Sequence, residues 1–518
     1  MSIISTNQTS TVLANTSNET FALLEGVRLV PTTGSAISAA AGTGRHFVID
    51  GDIFGNTADA ISITGASSNS INSIIIGETG TVHGGTGTAI SGAVGFLNVF
   101  NDGLIEGLAG VASSGDETRI ANSGIIRSTL VAAVTATGGL TLENTGEIVA
   151  HNANAVELGT SDYRLFNSGL ISGESTDFAT ISLVSGGGAF SVFENTGTIN
   201  STGIAFQSGG GQEEFFNSGI VVGSMDFSSG TDFYDGSGGR LNGDLEMGDG
   251  EDFITLRNGA YISGSITGGG GDDEYVIDRD DYQLSEQEFG GVDTVRSSVS
   301  HALGDNFEFL VLTGTGDLAG RGNGTGNTLT GNDGDNSLFG RDGNDVLNGG
   351  DGGDLLNGGG NIDIASYSSS SIGVTINLAT GKAFGGDADG DRLISIEGVS
   401  GSNFSDRLTG SKGDNSLAGE AGNDFLAGGK GADQLFGGTG VDTFIFSTRD
   451  GQDFIFDYAT SDGEKIDLSR LDAVTSFADL KAHHMEQDGI DVVITAGKDV
   501  LTLFDTDIAD LGKSDFIF

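Results

Sequence analysis

The residues that could do chemistry in this chain are aspartates set at a fixed step. Written in nines from Gly331, the sequence reads GNDGDNSLF, GRDGNDVLN, GGDGGDLLN and GGGNIDIAS. A second run from Gly401 reads GSNFSDRLT, GSKGDNSLA, GEAGNDFLA, GGKGADQLF and GGTGVDTFI. Glycine opens every nine and an apolar residue or alanine stands eighth. Sixth come Asn336, Asp345, Asp354 and Asp363, then Asp406, Asn415, Asp424, Asp433 and Asp442. Carboxylates and backbone carbonyls are hard oxygen donors, the set Ca²⁺ takes at about 2.3–2.6 Å. If each nine makes one tight turn and one short strand, two nines bring the chain back to the same edge. Stacked strands lie about 4.7–4.9 Å apart, so one ion fits between two turns and is held from both sides. Without it, each stacked carboxylate pair repels by about 1 kcal/mol even in bulk water. The pairs expected to share ions are Asn336/Asp354 and Asp345/Asp363, then Asp406/Asp424, Asn415/Asp433 and Asp424/Asp442.

The elements that position these side chains follow from the same nines. The Gly-rich first six residues can take the positive φ values of a tight turn. The last three, with one inward residue such as Leu338, Leu347 or Leu356, make a very short strand. These nines resemble the hemolysin-type calcium-binding repeats of RTX proteins, whose fold is a parallel β-roll. The resemblance implies a ligand set of carbonyls from positions 1 and 3 with the position-6 side chain. Carbonyls of positions 2 and 4 and the position-6 side chain of the turn eighteen residues on complete it. In the first block that set is Gly331, Asp333, Asn336, Gly350, Gly352 and Asp354, then Gly340, Asp342, Asp345, Gly359, Asn361 and Asp363. In the second it is Gly410, Asn415, Gly429, Gly431 and Asp433, then Gly419, Ala421, Asp424, Gly438, Gly440 and Asp442, with Asp406 ahead of them. Asn at position 6 (Asn327, Asn336, Asn415) departs from the pattern, and a neutral ligand weakens the end sites.

Composition agrees with a cation-binding repeat array. Glycine makes up 90 of 518 residues, more than twice the usual ~7%, without the collagen period. A formal charge of −50 excludes nucleic acid as a partner and favours cations. Of 72 acidic residues only 19 precede Asp226, which leaves 72 − 19 = 53 for the later part, so the acidity travels with the nines. There is no cysteine, so an extracellular protein of this kind is stapled by metal rather than disulfide. The N-terminus lacks the pattern of a signal peptide, and no apolar run reaches the ~18 residues of a membrane span.

In chain order, residues 1–45 read as an N-terminal cap. Residues 46–225 carry a different repeat, in which an apolar stretch is followed by Asn-(Ser/Thr/Asp)-Gly. Asn101, Asn122, Asn144, Asn167, Asn195 and Asn217 are separated by 21, 22, 23, 28 and 22 residues. That period predicts one β-solenoid coil per repeat, with Ile105, Ile126, Ile148, Ile171, Ile199 and Val221 stacked inside. Asn and Gly are expected at left-handed corners. Residues 226–276 are transitional coils, with Asp232, Asp252 and Asp273 at steps of 20 and 21. Asp252 and Asp273 are candidate ligands of weak calcium sites. Residues 277–320 and 367–400 read as β spacers around the blocks at 321–366 and 401–445. DADGD at 387–391 has its Gly outside the EF-hand position and reads as a solvated turn. Residues 446–518 form a C-terminal cap. Its last residues, Asp515-Phe516-Ile517-Phe518, resemble the uncleaved signal of type I secretion.

The expected fold is therefore all-β, an N-terminal parallel β-solenoid continuing into C-terminal parallel β-roll blocks. The expected function is that of a secreted, structural or adhesive calcium-binding protein. Its partners would be calcium, the type I secretion apparatus, and cell-surface or matrix polysaccharide. No H-E-x-x-H or G-x-S-x-G occurs, and His483 and His484 are adjacent, which cannot make an i, i+4 zinc pair. The rival is a polysaccharide lyase or epimerase on the N-terminal solenoid. Residues 1–225 hold no lysine and only five arginines (Arg28, Arg45, Arg119, Arg127, Arg164), a poor set for neutralising uronates. No enzyme is expected.

Overall fold

The computed structural model describes residues 1–518 except 15–17, 41–43, 65–69, 94, 160, 184–189 and 462. The chain forms two compact units, Met1–Gly291 and Val292–Phe518, and each is a parallel β-solenoid.

In the first unit a coil has one strand in one sheet and two in the other. Phe96–Asn101, Leu104–Gly107 and Ala109–Ser113 make one such coil. The next coil stacks in parallel register, with Asn101 on Asn122 and Ile105 on Ile126. The register holds along the column Ile105, Ile126, Ile148, Ile171, Ile199 and Val221, all essentially inaccessible. Each such side chain contributes about 1.5–3 kcal/mol by leaving water.

The asparagines behave differently from expectation. None of the six adopts positive φ. Their side chains point inward as a buried ladder, each Nδ2 donating to the Oδ1 of the next Asn at 2.7–2.8 Å. The same Nδ2 also reaches a backbone carbonyl of the next coil, such as Ile125, Glu147 or Leu170. Asn is required because it is donor and acceptor at once. The neighbouring Gly124 also has ordinary φ; a β-carbon there would collide with the carbonyl of Gly103.

Residues 1–45, expected as an N-terminal cap, carry strands of the coil. Ser2–Ile4 pairs in parallel with Thr20–Leu23, which pairs with His46–Ile49, so coiling is already under way. Of the 277–320 spacer, Gln283–Ser285 pairs on Ser265–Gly270 as a further coil of the first unit.

In the second unit two sheets face each other and the step is 18 residues: Leu329 lies on Leu347, and Leu338 on Leu356. The inward residues Leu329, Leu347, Leu338, Leu356, Leu408, Leu417 and Leu426 are fully buried. The 367–400 spacer adds an antiparallel excursion, Thr375–Asn377 with Lys382–Phe384, before Arg392–Ile394 rejoins Leu355–Gly360 in parallel. The unit closes with an antiparallel meander (Met485–Asp488, Asp491–Ala496, Asp499–Leu503) and a helix, Phe477–His483, capped by the Ser476 hydroxyl. Phe516–Ile517 adds to Lys465–Arg470 as a last strand.

Candidate metal centres

In the second unit the sixth residue of each nine lies at the end of a turn, where the chain enters a strand and its side chain faces inward. The backbone N–H of one such residue donates to the carboxylate Oδ1 eighteen residues on. The contacts are Asn336 to Asp354 (2.7 Å), Asp345 to Asp363 (2.9 Å), Asp406 to Asp424 (2.7 Å), Asn415 to Asp433 (2.8 Å) and Asp424 to Asp442 (2.8 Å). All five expected pairs therefore lie on common edges of successive coils.

This contact uses one carboxylate oxygen and leaves the other. Oδ2 of Asp345, Asp354, Asp363, Asp424, Asp433 and Asp442 is buried without a hydrogen-bond partner. Burying an ionised carboxylate this way costs several kcal/mol unless it is compensated. Burial accordingly pushes Asp354 and Asp424 up to about 7 and Asp363 and Asp433 up to about 6, with neighbouring carboxylates adding to the effect. Burial also raises Asp345 and Asp442. The open oxygen lies over the glycine that starts its own nine. A β-carbon at Gly340, Gly349, Gly358, Gly419 or Gly428 would collide with Oδ2 of the aspartate five residues on. At Gly340 and Gly419 it would also crowd the carbonyls of Gly358 and Gly437.

In the turns that end at Asp345, Asp354, Asp363, Asp424, Asp433 and Asp442, the second and fourth residues take left-handed backbone. Examples are Gly350 (86°) and Gly352 (129°), Gly359 (114°) and Asn361 (81°), Gly429 (98°) and Gly431 (135°), and Gly438 (88°) and Gly440 (139°). Asp333 and Asp342, at position 3, have exposed side chains, so only their carbonyls are suited to a site in the turn. Gly331 and Gly410 stack against the carbonyls of Gly349 and Gly428, and Ala421 pairs with Thr439 in the coil beyond. Unpaired buried carboxylate oxygens beside stacked carbonyls are a donor set that fits Ca²⁺.

The N-terminal ends of the blocks are satisfied by protein instead. Asn336 accepts from the Asn332 N–H and donates to the Asn332 side chain and the Gly334 carbonyl. Asn415 accepts from Ser411 and donates to the carbonyl of Glu397. Asp406, expected as a ligand, accepts from the backbone of Val374 and Ser402 and from the Ser402 hydroxyl, which occupies both its oxygens. The ion-demanding carboxylates therefore follow the first turns of each block and run to its C-terminal end.

Sequence reading missed three members of the rows. Asp391, expected in a solvated turn, is buried, because its carboxylate accepts the Asp354 N–H at 2.7 Å and the Tyr367 hydroxyl at 3.0 Å. Glu397 accepts from Asp363 (3.1 Å) and Asp453 from Asp433 (3.3 Å). The signal was present: Asp391-Arg392-Leu393 repeats Asp406-Arg407-Leu408, but the spacer breaks the count. In the first unit, Asp252 and Asp273 join a similar row, since Asp232 N–H donates to Asp252 Oδ1 (2.7 Å) and Asp252 N–H to Asp273 Oδ1 (2.8 Å).

Comparison with known proteins agrees with this geometry. The RTX calcium-binding nonapeptide repeat matches in 4 copies, over residues 321–364, 400–435 and 409–444. The chain carries RTX calcium-binding repeats. Among solved structures it is similar to the extracellular lipase LipA from Serratia marcescens, at 19% identity and a TM-score of 0.19. That match covers 44% of this chain and 45% of the lipase, less than half of either. No curated protein matches. Among the described residues, no helix is long and apolar enough to cross a membrane.

Proposed function

We propose that this is a secreted RTX protein with a structural or adhesive, non-catalytic role, whose second unit orders on binding calcium outside the cell. The observation that carries this reading is the set of buried, unpartnered carboxylate oxygens on Asp345, Asp363, Asp424 and Asp442. In a calcium-poor cytoplasm these groups oppose coil stacking, which keeps the chain loose enough for a type I export channel. Outside, sites of the extracellular class have Kd near 10⁻⁴–10⁻³ M, and binding to the folded state alone stabilises it by RT ln(1 + [L]/Kd). When bound, calcium supplies positive charge between turns. The chain's part is to hold one oxygen of each aspartate by a backbone N–H and aim the other at the ion.

Far-UV circular dichroism of the chain in chelator, followed by calcium titration, tests this. A β signal that grows with calcium and saturates near millimolar supports the reading; a signal indifferent to chelator overturns it.

A second reading, polysaccharide modification by the first unit, draws on one observation. Arg119 and Arg164 share a sheet column, with Thr141 between them, beside an open groove of about 470 Å³ lined by Glu143, Phe166 and Glu194. Arg119 is already paired with Glu143 at 2.7 Å, which makes this the weaker reading. Release of unsaturated uronate from a polymer would establish it.

A further inference from the structure

The turns that end at Asp232, Asp252 and Asp273 lie outside the nonapeptide match, on coils of 20 and 21 residues rather than 18. Their backbone nevertheless matches the nonapeptide turns at two positions, although Phe227 and Met247 stand where the blocks have the glycine beneath Oδ2. In the blocks, the residues four and two before Asp345, Asp354, Asp363, Asp424, Asp433 and Asp442 are left-handed. Here Ser228 (66°) and Gly230 (147°) precede Asp232, Gly248 (106°) and Gly250 (151°) precede Asp252, and Gly269 (116°) and Gly271 (123°) precede Asp273. The stacking matches too. A β-carbon at Gly250 would collide with the carbonyl of Gly230, and one at Gly248 with that of Ser228. In the second block, Gly440 and Gly438 meet the carbonyls of Gly422 and Glu420 in the same way. The N–H-to-carboxylate row also continues, from Glu213 to Asp232 (2.7 Å) and from Asp232 to Asp252 (2.7 Å).

What lacks an explanation is the remaining oxygen. Glu213, Asp232 and Asp252 are wholly inaccessible, and Asp232 Oδ2, Asp252 Oδ2 and Glu213 Oε1 have no hydrogen-bond partner. Each aspartate is held by one oxygen, and the other is buried without a partner beside turns whose carbonyls stack. No lysine occurs before residue 226, so no ammonium of these coils is available to compensate Glu213.

We propose that the first unit holds calcium of its own between the turns at 227–232 and 247–252, with the Asp232 and Asp252 carboxylates as ligands and Glu213 closing the row. Calcium binding then depends on the turn conformation and not on the nine-residue period. The identity of the ion rests on the function proposed above; the site itself rests on the first unit alone.

The test is a count of bound calcium on the full chain by native mass spectrometry and equilibrium dialysis. Two variants are compared with the unaltered protein: D232N/D252N in the first unit and D345N/D424N in the blocks. Asparagine keeps the Oδ1 acceptor, so the coil is retained, and circular dichroism of each variant checks this. The expected result is that D232N/D252N binds at least one calcium fewer, with D345N/D424N losing ions independently. In hydrogen exchange, residues 229–252 should be protected at least 10-fold more in calcium than in chelator, and D232N/D252N should lose that difference. An unchanged count in D232N/D252N beside a reduced one in D345N/D424N overturns this inference and leaves the blocks as calcium sites. Unchanged counts in both variants overturn the calcium reading of the blocks as well. Protection of 229–252 that is equal with and without calcium overturns the inference.

Discussion

Asp424 offers the sharpest perturbation. It is fully buried, its Oδ1 accepts the Asp406 N–H, and its Oδ2 is unpartnered. Burial, reinforced by Asp406 and Asp442, lifts it from its ordinary 3.8 to about 7. Above that pH the ionised, metal-free fold bears a penalty of at most about 4 kcal/mol, at ~1.4 kcal/mol for each tenfold change in proton affinity. Asp424→Asn removes the charge and keeps the acceptor. In chelator at pH 8 the variant should therefore be more stable than the parent, by a few kcal/mol at most. In calcium this advantage shrinks, because a ligand is lost. At 10 mM calcium and Kd of about 10⁻⁴–10⁻³ M, one forfeited ion removes roughly 1.4–2.7 kcal/mol. Guanidinium denaturation of parent and variant, each with 10 mM calcium and with chelator, measures both numbers. The expected pattern is a variant stabilised without calcium that gains less from it. A variant equally destabilised in both conditions would make Asp424 an ordinary structural aspartate and refute the reasoning.

Four further outcomes are expected. In chelator, the raised carboxyls (Asp354 and Asp424 to about 7, Asp363 and Asp433 to about 6) favour the fold when protonated. Their contribution is fully present below about pH 4 and is lost as pH rises through 6–7. Metal-free β content followed by circular dichroism should thus fall between pH 5 and pH 8, and calcium should abolish the fall. Tyr367→Phe strips the hydroxyl from Asp391 Oδ2; metal-free stability should drop by about 1–3 kcal/mol, measured by thermal melting in chelator. Asn144→Ala breaks the ladder at both Asn122 and Asn167, and should cost about 1–3 kcal/mol to the same extent with and without calcium in paired denaturation curves. Gly340→Ala places a methyl against Asp345 Oδ2 and the Gly358 carbonyl; calorimetric titration should show weaker calcium binding while the Asn ladder of the first unit keeps its hydrogen-exchange protection.

Much of the fold could be read from spacing wherever coil length is constant. The 18-residue return of Leu329 on Leu347 and the Ile105 to Val221 column both follow from counting. Counting fails where a coil takes an insertion. The hairpin at 375–384 places Asp391 thirty-seven residues beyond Asp354, and Glu397 thirty-four beyond Asp363, so neither falls in phase. Spacing also cannot say how a polar side chain is satisfied. Asp406 and Asp424 look alike in their nines, yet Ser402 donates to one and no donor reaches the open oxygen of the other. The asparagines of the first unit were recognisable by type and period. Their role as an inward ladder depends on facing partners that only stacking supplies.

The most direct measurement is to locate the ion. Crystals grown in calcium, or soaked with terbium, would show anomalous scattering where heavy cations sit. Peaks are expected between the turns of Asp345 and Asp363 and of Asp424 and Asp442, and none against the hydrogen-bonded amides of Asn336 and Asn415 alone. An ordered structure in which those aspartate turns hold only water, at saturating calcium, would contradict calcium as the element that joins the coils.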